Sequence, residues 1–166
     1  CENVNDAFLC FWGRSPFFGF HWHYHPELDI TYVHRGQGTR LVGNNVSDFR
    51  AGDFVFLGSN LPHTWISDDD FSQQEKQMEV IVLQFPPQLS SDSWLQLPEL
   101  ANLKKLLTHA DRGIVFSEMI RKSAVNMLIE MTTVSGFERF QLLLSLLNLL
   151  GFEPERKFLA SFRNSP

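Results

Sequence analysis

Hydrophobic and polar positions change rhythm once along this chain, near Pro86-Pro87. Before it, short apolar or alternating runs are separated by Gly, Asn and Asp, the pattern of strands and tight turns. Residues 17–24, 28–33, 39–42, 46–49, 54–57 and 78–85 are predicted as strands. Turns are predicted at His34-Arg35-Gly36-Gln37-Gly38, Gly43-Asn44-Asn45 and Ala51-Gly52-Asp53, with a loop at Gly58-Ser59-Asn60. The run 78–85 is apolar on both faces, so its sheet needs a layer packed on each side. Many short, closely spaced strands predict a sandwich or barrel. A double-sheet roll would leave a hollow into which alternate residues point.

After the diproline the period becomes helical. Pro98 suits a first helical position, and Leu100, Leu103, Leu107 and Ala110 follow on one stripe up to Asp111-Arg112-Gly113. Ser117 is a candidate cap for a second helix with Ile120, Ala124, Met127, Leu128, Met131 and Val134 along one side. Ser135-Gly136-Phe137-Glu138 has the spacing of a capping box for a third. That third helix is apolar on two faces: Phe140, Leu143, Leu144 and Leu147 on one, Leu142, Leu146 and Leu149 on the other. Both faces must be buried, and a second subunit is the simplest cover for one of them. A fully internal helix is the alternative.

Composition narrows the class. The chain has 166 residues, enough for one domain with a sizeable core. A net charge of −5 provides no basic footprint, so this segment is not expected to grip DNA itself. Sixteen phenylalanines and four tryptophans can line a pocket as well as fill a core. Cys1 and Cys10 are too few for a disulfide framework, and a reducing, cytoplasmic setting is expected. The apolar run 142–150, broken by Ser145 and Asn148, is too short to span a bilayer. A start at Cys rather than Met leads us to expect a trimmed or partial product.

The chemistry concentrates in His21-Trp22-His23-Tyr24-His25-Pro26-Glu27-Leu28-Asp29 and, downstream, Leu61-Pro62-His63-Thr64-Trp65. On an extended segment, side chains two apart share a face, about 6.5–7 Å from each other. His21, His23 and His25 therefore face one way and Phe20, Trp22 and Tyr24 the other. His23 and His25 can converge on one point, Asp29 can add an oxygen across the Pro26 bend, and His63 can complete the set. Imidazoles with a carboxylate suit Zn, Ni, Fe or Mn. The other reading is a polar pocket whose histidines hydrogen-bond a non-metal ligand. His21 is expected at the strand entrance, His34 at a solvated turn, and His109 at a helix C-terminus interacting with the dipole. Trp65 and Trp12 are candidate pocket walls. Asp68-Asp69-Asp70 reads as a solvated acidic loop.

The stretch from Phe20 to Trp65 resembles the cupin sensor domain of AraC-type transcription regulators. The resemblance is carried by His23-Tyr24-His25-Pro26-Glu27-Leu28-Asp29-Ile30, Gly36-Gln37-Gly38-Thr39, Phe49-Arg50-Ala51-Gly52-Asp53 and Gly58-Ser59-Asn60-Leu61-Pro62-His63-Thr64-Trp65, and it continues through the helices to Leu159-Ala160-Ser161. It implies a mainly β chain with C-terminal helices, a cupin-like jelly-roll barrel followed by about three α-helices. His23, His25, Asp29, Gly36 and His63 fall on the cupin motif spacing. The motif's usual Glu is Asp29 here, the glycine expected before the His pair is Phe17, its Pro-x-Gly survives only as Gly58-Ser59-Asn60, and its terminal Asn is Ser67.

On this reading 1–86 is the effector-binding barrel, 87–151 the helical dimerisation and linker region, and 152–166 a cut linker toward a helix-turn-helix DNA-binding domain outside this chain. The expected function is effector sensing and dimerisation, without catalysis. A small, possibly sugar-like molecule would bind at His23, His25, Asp29, His63 and Trp65, and a divalent metal at His23, His25, Asp29 and His63. Partners would be the effector, a second copy through 117–150, and DNA only through the reader domain, with no membrane. The competing expectations are a small metal-dependent cupin enzyme, such as an isomerase or dioxygenase, and a carbohydrate-binding module stacking sugars on Trp65 and Trp12.

Overall fold

A computed structural model describes residues 7–68, 77–91 and 93–161. Expectations for Cys1, for Asp69-Asp70 and for 162–166 lie outside the described residues. Strands are β1 (Leu9–Ser15), β2 (Leu28–Arg35), β3 (Gln37–Val42), β4 (Asn45–Arg50), β5 (Phe54–Leu57), β6 (His63–Ser67), β7 (Met78–Phe85), β8 (Ile114–Val115) and β9 (Lys157–Phe158). Helices are α1 (Ala101–His109), α2 (Glu118–Met131) and α3 (Gly136–Gly151), with short helical turns between β7 and α1. One sheet has the order β1-β7-β2-β5-β8-β9 and the other β4-β3-β6.

The larger sheet separates two compartments, and the two-residue period of its strands serves both. Ile30 of β2, Phe54 and Phe56 of β5, and Ile81, Leu83 and Phe85 of β7 join the main core with the helices. Their neighbours point between the sheets: Val33, Met78 and Val80 form one small cluster, Val55 and Leu57 another. This answers the two-faced apolar pattern of 78–85. Gly38 marks the tightest approach within the smaller sheet. Its φ is +157°, and a Cβ there would fall 1.9 Å from the Ile66 carbonyl oxygen.

The first strand differs from expectation. Residues 17–24 are extended but carry no full ladder, and the strand lies earlier, at Leu9–Ser15, paired with β7 along its whole length. Pro16 follows it and has no N–H to give a ladder. The lead-in instead runs beside β6, held at one end by bonds between Phe18 and Ser67 and at the other by an isolated bridge between His23 and His63. The turn expected over 34–38 shrinks to Gly36, because β2 continues to Arg35 and β3 begins at Gln37.

The helices pack on the sheet face away from the hollow. Leu103, Leu106 and Leu107 of α1 are buried, and Gly113, at φ +66°, ends the helical turn that follows. Ala124, Leu128 and Met131 form the buried stripe of α2. The two-faced helix α3 touches both α1 and α2, and Leu143, Leu146, Leu147 and Leu150 are all buried within this chain. Of the second apolar face, Leu146 is buried and Leu142 and Leu149 are partly buried against the same core. Two expected caps are also not made. Ser117 occupies the N-cap of α2, yet its hydroxyl donates to the buried Glu153 at 2.6 Å. Ser135 caps α3 by position without a side-chain bond, and Gly136 sits at φ +59°.

Residues 152–161 are not a free linker. β9 pairs with β8, and Leu159 and Ala160 donate their N–H groups to the carbonyls of Gly113 and Arg112. Barrel and helices consequently share one continuous core across residue 86. Among the described residues, no helix is long and apolar enough to cross a membrane.

Cys10 tests the seam between β1 and α2. Its thiol faces the Leu128 carbonyl at 3.8 Å, and burial pushes its pKa up to about 12, against a small lowering by Arg139. In a Cys1→Ser variant, Cys10 should therefore resist a thiol reagent at neutral pH until the protein unfolds. Rapid native labelling, followed by absorbance, would show that the seam opens.

Candidate metal and ligand site

The site is assembled by main-chain bonds. His23 and His63 exchange both N–H···O bonds, at 3.3 and 2.9 Å, and the Asn60 N–H donates to the His25 carbonyl at 2.8 Å. Asn60 reaches that position at φ +58°, a conformation asparagine tolerates better than most residues. Histidines from distant segments are thereby fixed opposite each other. Ring centroids of His23 and His63 are 4.4 Å apart, those of His25 and His63 5.2 Å, and those of His23 and His25 5.8 Å.

Hydrogen bonds choose the tautomers. The Nδ1 of His23 lies 2.8 Å from the His21 carbonyl oxygen, and the Nδ1 of His63 lies 2.8 Å from that of Leu61. A ring nitrogen facing a carbonyl must be the protonated one, which leaves each Nε2 with a free lone pair. One ligand atom from each of His23, His25 and His63 falls within a 4.8 Å set. The ring of His63 is buried, and this desolvation lowers its pKa. The Leu61 carbonyl and Asp29 oppose the shift, while His23 and His25 add to it. A neutral imidazole is the form that ligates a metal.

Asp29 adjoins this set, its Oδ2 lying 3.8 Å from His25 Nε2. Its Oδ1 accepts the Thr31 hydroxyl at 2.7 Å, and its Oδ2 the Gln84 amide at 3.1 Å. The Gln84 nitrogen is also 3.4 Å from His25 Nε2. Asp29 and Gln84 thus both meet the His25 ring at Nε2, and Thr31 fixes the Asp29 carboxylate. The three imidazoles fit a divalent ion of the zinc, nickel, iron or manganese group, with the Asp29 carboxylate beside them. Gln84 escaped the sequence reading, although it is the uncharged polar residue in the apolar run Met78–Phe85.

A cavity of about 400 Å³ opens between the sheets beside these rings. Phe11, Phe18, Trp65, Val80 and Val82 provide apolar wall, and His21, His23, His63, Asp29 and Gln84 line it with polar groups. The opposite face of the lead-in is in solvent, with Phe20, Trp22 and Tyr24 exposed at 67%, 42% and 67%. Trp65 belongs to the cavity and donates a long bond to Asp53 at 3.5 Å. Trp12 does not line it. Its ring packs on the helix-side core and against His34 at 5.3 Å, so Phe11 is the β1 residue on the cavity. His34 extends from β2, half-exposed beside Glu79, and His109 packs against Phe158. A buried pair, also missed in the sequence, bridges the sheets: Arg40 reaches both Asp53 carboxylate oxygens at 2.5 Å.

Residues 16–73 match the sequence model of the Cupin domain family, Cupin_2, and the double-sheet barrel is of the cupin type. No curated protein matches the chain. Among solved structures, a Cupin 2 conserved barrel domain protein from Salinispora arenicola CNS-205 is 21% identical, with a TM-score of 0.42, over 54% of this chain and 71% of that one. ToxT from Vibrio cholerae is 13% identical, with a TM-score of 0.49, over 83% of this chain and 53% of that one. The DMSP lyase DddQ from Ruegeria pomeroyi DSS-3 is 22% identical, with a TM-score of 0.39, over 49% and 39%.

The buried His63 sets a pH dependence. Its folded pKa lies below the ordinary 6.5, so on acidification the unfolded chain takes up its proton first. Stability should then fall as pH drops below about 6.5 and hold above it. In metal-free buffer the urea midpoint should decline more steeply between about pH 7.5 and about pH 5.5 in the parent than in His63→Asn. Parallel profiles would remove His63 as the cause.

Proposed function

We propose that this chain is the effector-sensing and dimerisation part of an AraC-type transcription regulator in the cytoplasm. A small molecule occupies the barrel cavity, and His23, His25 and His63 would hold a divalent metal at its polar end. The observation that carries this reading is the shared wall. In the same strands that line the cavity, every other residue packs on the helices. Ligand that prefers one arrangement of this wall biases the helices with it, which requires different affinity for the two arrangements. The aromatic and aliphatic lining favours a body less hydroxylated than a sugar. The resemblance in residues 20–65 and the barrel-then-helices order support the regulator class. The charge of −5 agrees with DNA contact delegated to another part of the protein.

In this reading 1–86 senses, 87–151 couples and dimerises, and residues from 152 lead onward. Leu143 and Leu147 are spent inside the chain, so dimerisation through 117–150 falls to outward residues such as Met119 and Phe137. A metal-dependent cupin enzyme is the second reading. It is favoured by ring nitrogens left free beside an open cavity. In both readings a bound metal supplies a Lewis acid for an oxygen-bearing ligand. The protein holds the His23 and His63 rings through their Nδ1 bonds to main-chain carbonyls.

Zinc titration by calorimetry should give one site per chain. His63→Ala should abolish it, and Asp29→Asn should weaken it at least about tenfold, whether the carboxylate ligates or supports His25. A metal-loaded protein that is stabilised in a thermal-shift screen by small molecules it leaves unchanged supports the sensor. Turnover of such a molecule supports the enzyme. A strict monomer by light scattering at high concentration would count against the dimerisation role.

A further inference from the structure

A second cleft, of about 820 Å³, lies outside the barrel between the β4–β5 turn and α2. One wall is residues 48–53. The other is Glu118, Arg121, Lys122, Val125 and Asn126, which recur at three- and four-residue spacing and so form one helical stripe. This stripe is separate from the buried Ala124, Leu128 and Met131. The cleft has about twice the volume of the barrel cavity and lies within the size range of small-molecule sites.

Its charges do not cancel once internal pairs are set aside. Asp53 is committed to Arg40 at 2.5 Å, and Glu118 meets Lys122 at 3.3 Å. Arg50 and Arg121 remain, against Asp48. Arg121 donates from Nη1 to the Gly52 carbonyl at 2.7 Å, but among the described residues its buried Nε has no hydrogen-bond partner. A buried donor left unpaired is costly, more so when charged, so an acceptor bound there is favoured. Tyr32, Phe49 and Val125 supply apolar surface beside the two guanidinium groups. Burial raises the Tyr32 pKa, with a smaller opposing effect of Arg121. The phenol is therefore neutral at physiological pH and can donate to an anion.

We propose that this cleft is a second ligand site, taking a small anion, carboxylate or phosphate, carried on an apolar body and bound by Arg121 and Arg50. A planar guanidinium fork matches either anion. Because Arg121 already joins α2 to the β4–β5 turn, the occupant braces helix against barrel. The site owes nothing to the histidines and stands or falls independently of the barrel reading.

Two-dimensional NMR of the labelled chain tests it with benzoate, phenyl phosphate and benzyl alcohol. Benzoate or phenyl phosphate should shift the amides of Ala51, Gly52, Arg121 and Val125 saturably, and benzyl alcohol should not. The stronger of the two anions identifies the head group. Arg50→Gln should weaken binding about tenfold, as loss of one charge-assisted contact implies, while His63→Asn leaves it unchanged. The proposal is overturned by no saturable shift at these residues, by an equal response to benzyl alcohol, or by shifts confined to Phe18, His63 and Gln84.

Discussion

Two reciprocal main-chain hydrogen bonds, between His23 and His63, determine where this molecule does its chemistry. They join a lead-in that has no regular ladder to the edge of the smaller sheet. Without them the histidines of 21–25 would hang on a free segment. With them, period-two geometry turns His23 and His25 inward, leaves His21 exposed at the cavity rim, and points three aromatic rings outward. The backbone also disposes of the Nδ1 protons on His23 and His63, so the orientation of these rings is inherited from main-chain register.

The larger sheet adds the second constraint. It is one layer of residues with a ligand-sized hollow on one side and a helix-packed core on the other. Protein interiors pack too densely for one side of such a layer to shift while the other stays indifferent. Arg121 and Ser117 reinforce this mechanically. The first ties α2 to Gly52 and the second ties its N-terminus to Glu153 at the end of α3. Helix, turn and sheet therefore move as a joined set.

Much of this was legible in the residues, and the exceptions have physical causes. The alternation of His23 and His25 with Trp22 and Tyr24 follows from strand geometry alone and the exposures agree with it, while His21 is exposed at the rim. The two-faced run at 78–85 announced a layer on each side. β1 was not legible, because its partner β7 lies more than sixty residues away and nothing local marks the pairing. Asp29 satisfied the motif spacing, but only the fold shows Thr31 and Gln84 claiming its oxygens. Ser117 and Ser135 looked like caps, yet a buried carboxylate offered Ser117 a charged acceptor in place of the helix N–H groups.

The two-sided use of β2 also bears on how such a chain can diverge. Asp29 and Thr31 are spaced between Leu28, Ile30 and Tyr32, so polar and apolar demands interleave at single-residue resolution. Substitutions on the hollow-facing positions can retune what is held there while leaving the helix seam untouched. Insertion or deletion of one residue would exchange the two sets, driving carboxylate into hydrocarbon and isoleucine among the imidazoles. Drift in this strand is thus confined to exchanges of side chain at constant length.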